Sequence, residues 1–120
     1  MKFYRDWFGD LISQTQNVIG SADALRLSDA QRRSLTAEAA LYSDLAELLN
    51  TGVPPPPSAP VPVDPSVIEQ VRAGVDRWTG RLWEADDIDL TDAQRSDFTE
   101  SARISDLIRA YLASYPTAGT

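Results

Sequence analysis

Residues 22–39 read ADALRLSDAQRRSLTAEA, and residues 85–102 read ADDIDLTDAQRSDFTESA. At a shift of 63 residues, half of these positions are identical: Ala22/Ala85, Asp23/Asp86, Leu27/Leu90, Asp29/Asp92, Ala30/Ala93, Gln31/Gln94, Arg32/Arg95, Thr36/Thr99 and Ala39/Ala102. Leu25/Ile88, Ser28/Thr91 and Leu35/Phe98 keep their chemistry. The chain is therefore built from two like modules, each with the same packing problem to solve.

Within each copy a helix start is legible. Ser28 to Gln31 and Thr91 to Gln94 are capping boxes. In each, a hydroxyl accepts from the third amide of the first turn while the glutamine side chain reaches back to the cap amide. Upstream, Tyr4, Phe8, Ile12 and Ile19 fall at helical spacing. Their partners at the same shift, Val67, Val71, Val75 and Leu82, are also apolar. Each copy thus predicts a helical hairpin. Helices are expected over about 2–22, 28–49, 65–85 and 91–114. One slip is expected in the last, because Ser43-Asp44-Leu45 matches Ser105-Asp106-Leu107 at a shift one residue smaller. Residues 115–120 read as a frayed tail.

Between the copies lies GVPPPPSAPVPVDP, residues 52–65. Its prolines favour polyproline II, and Asp64-Pro65 is a helix cap followed by proline at the first helical position. The organisation is hairpin repeat 1 over 1–51, a proline-rich linker over 52–65, hairpin repeat 2 over 66–115, and a tail over 116–120. About 12 residues of polyproline span roughly 37 Å, and a 21-residue helix about 32 Å. A spacer this long suits a chain that runs back along the bundle and starts the second hairpin upside down. The fold class is all-α: tandem duplicated helical hairpins joined by a polyproline linker and packed as a four-helix bundle. The alternative is two separated hairpins, each docking on its own copy of a partner.

The bulk composition narrows the function classes. The 120 residues carry a net charge of −7 and contain neither Cys nor His. Excess acid opposes direct nucleic-acid binding, which rests on neutralising phosphates, and opposes anionic membrane surfaces. Without Cys or His there is no thiolate, no usual zinc site and no Ser-His-Asp triad. No catalytic set, metal site or cofactor site is expected. Neither a transmembrane run nor an uninterrupted signal-peptide core is present, which points to a cytoplasmic or virion-associated protein. The acidic run Glu84, Asp86, Asp87, Asp89 and Asp92 fails the EF-hand spacing and reads as a solvated loop. The proline run could serve as a ligand for an SH3- or WW-type domain, but a bare spacer is the commoner use.

Six residues are candidates for contact with a protein partner. Phe3, Trp7 and Leu11 form a second apolar stripe on the first helix, and their counterparts Ser66, Gln70 and Gly74 are not apolar. The repeated core does not need this stripe, so it packs on the second module or binds something outside. Trp83 lies one step off its helix seam, where copy 1 has Gly20. Arg32 and Arg95 sit on the first turn of a helix, where a cation opposes the dipole. Each either pairs with a nearby acid or meets a partner's carboxylate.

The resulting expectation is a non-enzymatic structural protein that binds a repeated partner surface in a multi-copy assembly. Arginine with almost no lysine hints at a GC-rich bacterial or phage genome, and a minor capsid, cement or connector-type virion component fits that description. An acidic inhibitor or nucleic-acid mimic bound to a basic host protein is one alternative. A small helical adaptor or regulator is another.

Overall fold

The computed structural model describes residues 2–85 and 91–117, and within the helices it describes all side chains except those of residues 2, 3, 81–85, 94, 97 and 98. Four helices follow in order: α1 (Lys2–Gly20), α2 (Asp29–Thr51), α3 (Pro65–Ala85) and α4 (Asp92–Ser114). α1 packs on α2 and α3 packs on α4, with a further α2 to α4 contact. The protein is an all-α bundle of two hairpins.

The local signals act as their chemistry requires. Ser28 Oγ accepts from the Gln31 amide at 3.1 Å, and Gln31 Oε1 accepts from the Ser28 amide at 2.7 Å. Two amides that a helix start leaves without intrahelical partners are thereby satisfied. α2 ends at Gly52, whose φ of 70° is left-handed and whose amide donates to Leu48 O at 2.8 Å. A side chain at Gly52 would be strained there. Asp64 caps α3 by accepting from the Ser66 amide at 2.9 Å, and that bond holds its carboxyl below the usual carboxylate range. The glutamine of the second capping box, Gln94, lies outside the described side chains.

Burial shows how the hairpins meet. The core takes Tyr4 and Phe8 from the first half of α1, and Leu41, Leu45, Leu48 and Leu49 from the second half of α2. It takes Val67, Val71 and Val75 from the first half of α3, and Ile104, Ile108 and Leu112 from the second half of α4. The open ends of the two hairpins therefore overlap. The 21–28 connection is carried to one end of a 52 Å long molecule, and the end of α3 to the other. The linker makes this possible. Val61, Pro62, Asp64 and Pro65 come back beside Ala30, Arg33 and Ser34 at the start of α2. α3 then begins where α2 began, and the second hairpin is inverted relative to the first.

Burial also corrects the expected slip in α4. Leu41/Ile104, Leu45/Ile108, Leu48/Tyr111 and Leu49/Leu112 are all buried pairs at the original shift of 63. At a shift of 62, buried Asp44 would match exposed Asp106, and exposed Ser43 would match buried Ser105. The apolar register sets the structural equivalence, and the Ser-Asp-Leu identity does not follow it.

The tail is a second correction. Tyr115 is buried, and the Val63 amide donates to Pro116 O at 3.0 Å, with an isolated parallel bridge between Val63 and Thr117. Residues 115–117 are docked against the start of α3, because the linker offers them an amide and a buried apolar neighbour.

Candidate functional site

The most unusual chemistry in the bundle is a buried carboxylate. Ala37, Leu41, Asp44 and Leu48 form the inward row of α2 at helical spacing, and all four are buried. A charge in such a row must be hydrogen-bonded. Asp44 Oδ2 accepts from the Ser58 amide at 2.9 Å and from the Tyr115 hydroxyl at 2.7 Å, while Oδ1 accepts from Ser58 Oγ at 2.7 Å. One side chain of α2 thus fastens both the linker and the end of α4. Beside it, the Tyr111 hydroxyl donates to Pro55 O at 2.9 Å, and the Tyr111 and Tyr115 rings meet edge to face at 5.5 Å.

All four tyrosines of the chain are buried. Burial pushes each hydroxyl above its ordinary titration range. For Tyr115 and Tyr111 the neighbouring Asp44 charge pushes the same way, and for Tyr42 its bond to Glu38 at 2.6 Å does so. Tyr4 meets Ser105 Oγ at 2.6 Å, and Ser105 Oγ in turn lies 2.9 Å from Ser101 O, so Tyr4 donates to Ser105 and Ser105 to the helix carbonyl. This chain of bonds crosses from α1 to α4 inside the core.

The apolar stripe of α1 is drawn partly inward. Trp7 is half-buried and brings the far edge of its ring against Gly74 of α3, so close that a Cβ at Gly74 would overlap it. Leu11 is half-buried against the same core. Trp7, Leu11, Tyr42, Gln70, Val71, Ala73 and Arg77 line a groove of about 330 Å³ along this seam. At the shift of 63, Trp7 corresponds to Gln70 and Leu11 to Gly74. The groove therefore lies where the two copies cross, with a large ring from one copy filling space left by glycine in the other.

Arg32 reaches back across the first connection to Asp23, at 2.6 Å, with its guanidinium half-exposed. The acid it meets is Asp23, nine positions upstream. Arg95 is exposed on the first turn of α4, and its amide donates to Thr91 O at 2.9 Å. Phe3 and Trp83 lie outside the described side chains. So does the acidic connection 86–90, with Asp86, Asp87 and Asp89. Among the described residues no three carboxylates come together as a metal would require, and no helix is long and apolar enough to cross a membrane.

Other charges are interleaved. Arg103 pairs with Glu100 at 2.7 Å and Arg72 with Glu69 at 3.3 Å; Arg109 binds both Asp76 at 2.9 Å and Asp106 at 3.2 Å. Meanwhile the 21–28 connection exposes apolar surface. Leu25 is 55% exposed next to Arg26, whose φ of 55° is left-handed, and Val18, near the end of α1, is 36% exposed.

Reading the residues in order misses Asp44, Ser58, Tyr115 and Ser105. A signal for Asp44 was present, since an acid stands within the row Ala37, Leu41, Leu48. None was present for its partners, which lie 14 and 71 residues away. No protein-family model matches the chain, and neither the curated proteins nor the solved structures contain a match to it.

Proposed function

We propose that this chain is a non-enzymatic structural protein that binds a recurring protein surface in a larger assembly, as a minor capsid, cement or connector-type component of a virion would. The supporting observation is the exposed apolar tip of the first hairpin. Leu25 is more than half exposed on a connection with strained backbone at Arg26. The second copy keeps the same chemistry in sequence, with Ile88 for Leu25 and Leu90 for Leu27. An apolar residue repeated at this position of both copies, and exposed in the first, suits contact with a partner. The inversion of the second hairpin gives the protein two ends that can meet two copies of one partner surface.

Within this reading, Phe3, Trp7, Leu11, Trp83, Arg32 and Arg95 are the partner-contact candidates from sequence. Trp7 and Leu11 offer only the edges that line the seam groove, and Arg32 brings its half-exposed guanidinium beside Asp23. The interleaved ion pairs of Arg72, Arg103 and Arg109 count against an acidic mimic, which needs an unbroken row of carboxylates. The protein would work without cofactor, in the cytoplasm or within the particle.

The test is a photo-crosslinking residue placed at position 25 and, separately, at position 88 in producing cells. The proposal expects one common protein crosslinked at both positions, and the chain recovered in stoichiometric copy number with the particle. Two unrelated partners, or a free uncrosslinked chain, would refute it.

A further inference from the structure

Residues 54–59 run extended beyond the end of α2, without turn, bend or bridge. Four of these six residues are proline, whose fixed φ favours polyproline II. That helix has three residues per turn and therefore three edges. The linker sorts its side chains by this period. Pro55 is buried, and three places on Ser58 turns its hydroxyl and amide to Asp44. This edge faces the bundle, and the Tyr111 hydroxyl fastens it again at Pro55 O. A second edge, Pro54 and Pro57, is exposed. On the third, Val53 and Pro56 are exposed and Ala59 is half-buried.

The outward edges carry the pairs Val53-Pro54 and Pro56-Pro57, separated by the one inward residue Pro55. SH3-, WW- and EVH1-type domains bind proline-rich PxxP segments in grooves lined by aromatic rings, and Pro54 and Pro57 have that spacing. A groove laid on both outward edges leaves over only the edge that the bundle already holds. The backbone fits as well. Proline donates no hydrogen bond, and the carbonyls of Pro54, Pro56 and Pro57 accept none among the described residues, so they are open to indole or hydroxyl donors of a groove. Charge narrows the partner further. From Ser34 to Val71 the sequence has no Lys or Arg. Exposed Glu47 lies near enough to act on the Tyr111 hydroxyl that holds Pro55, and Asp64 is exposed at the far end of the linker. The complementary groove has a basic rim.

We infer that the bundle presents residues 53–59 as a preformed polyproline II ligand for a protein domain with an aromatic-lined, basic-rimmed groove. The bonds to Asp44 and Tyr111 order the run before any partner arrives, which lowers the entropy lost on binding. The inference is independent of the partner reading above, which concerns the hairpin tips.

The probes are a purified WW, EVH1 and SH3 domain, each titrated calorimetrically against the full chain. At least one is expected to bind with a Kd below about 1 mM, and more weakly as salt is raised. Pro54→Ala combined with Pro57→Ala, both exposed, should weaken that binding about tenfold or more with helical circular dichroism unchanged. Leu25→Ala, at the hairpin tip, should leave it unchanged. A synthetic peptide of residues 51–64 should bind the same domain about fivefold more weakly than the folded chain, because it must first be ordered. No binding by any of the three domains overturns the proposal. So does binding indifferent to salt, binding that survives the double substitution, binding lost with Leu25→Ala, or a peptide that matches or exceeds the chain. Should the double variant lose helical content, Pro57→Ala alone is read: a loss of about threefold or more is expected, and a smaller one overturns the proposal.

Discussion

Asp44 in the first hairpin and Leu107 in the second occupy the same place in the repeat. Asp44 is buried, pairs with no cation among the described residues and gathers three donors from the linker and the end of α4. Leu107 is half-buried and packs on the core like its apolar neighbours. The acid that looks like the counterpart of Asp44, Asp106, faces solvent and binds Arg109. Copies of one sequence thus diverged where the surroundings differ. The first hairpin has a linker laid against it, and a row position that faces backbone amides and hydroxyls can hold a carboxylate. Among the described residues no such segment is laid against the second, and a leucine serves.

The largest effect should follow from removing that carboxylate. Asp44→Ala leaves the Ser58 amide, the Ser58 hydroxyl and the Tyr115 hydroxyl short of an acceptor, and should cost about 3 kcal/mol or more in urea unfolding. Asp106→Ala, at the position the sequence pairs with it, should cost under about 0.5 kcal/mol. Equal losses in the two variants would break the comparison.

Next in size is the seam. Gly74→Ala puts a methyl into the Trp7 ring and should destabilise by about 1–3 kcal/mol. Its equivalent in copy 1, Leu11, lies opposite Gln70 at the same crossing. Trp7→Leu should recover much of the Gly74→Ala loss in a double-mutant cycle. Additive losses would show that the ring has another place to go.

Tyr4→Phe removes the donor to Ser105 and should cost about 1 kcal/mol, because Ser105 keeps its own bond to Ser101 O. Calorimetric melting of the variant against wild type measures it. Arg103→Ala, an exposed pair with Glu100, should change stability by less than about 0.5 kcal/mol.

The smallest expected response lies near neutral pH. With no His and no Cys, no side chain has an ordinary titration point between pH 6 and 8. Melting temperature should be nearly flat there. The tyrosines behave otherwise. Their folded hydroxyls titrate above the unfolded value of about 10, so the stability from keeping them neutral is complete below pH 10. It is lost as pH rises beyond that. Tyr115→Phe and Tyr111→Phe should each flatten the alkaline limb of a melting curve taken from pH 8 to 12. A curve unchanged by all four Tyr→Phe substitutions would show that burial does not hold these hydroxyls.

Much of the fold is legible in the residues taken in order. The repeat, the Ser28 capping box, Gly52 and the Asp64-Pro65 start each act within four or five residues, so local chemistry suffices to place helix ends. The apolar rows are legible for the same reason, since helical spacing is local. The α4 register departs from the three-residue identity Ser-Asp-Leu because packing obeys the apolar row. The site was less legible. Trp7 is legible as surplus to the repeated core, yet its seat on Gly74 depends on how two helices cross.

The amino-acid sequence alone determined four helices, two copies of one hairpin, and a stiff spacer long enough to invert the second. These follow from backbone hydrogen bonding, side-chain periodicity and the fixed φ of proline, all of which act over a few residues. Only the tertiary structure decided that Asp44 is a buried fastening, that Tyr115 belongs to the core, and that a tryptophan ring rests on a glycine. Those outcomes join residues far apart in the chain. Their energies come from burial and hydrogen bonding between surfaces that exist only once the hairpins have met.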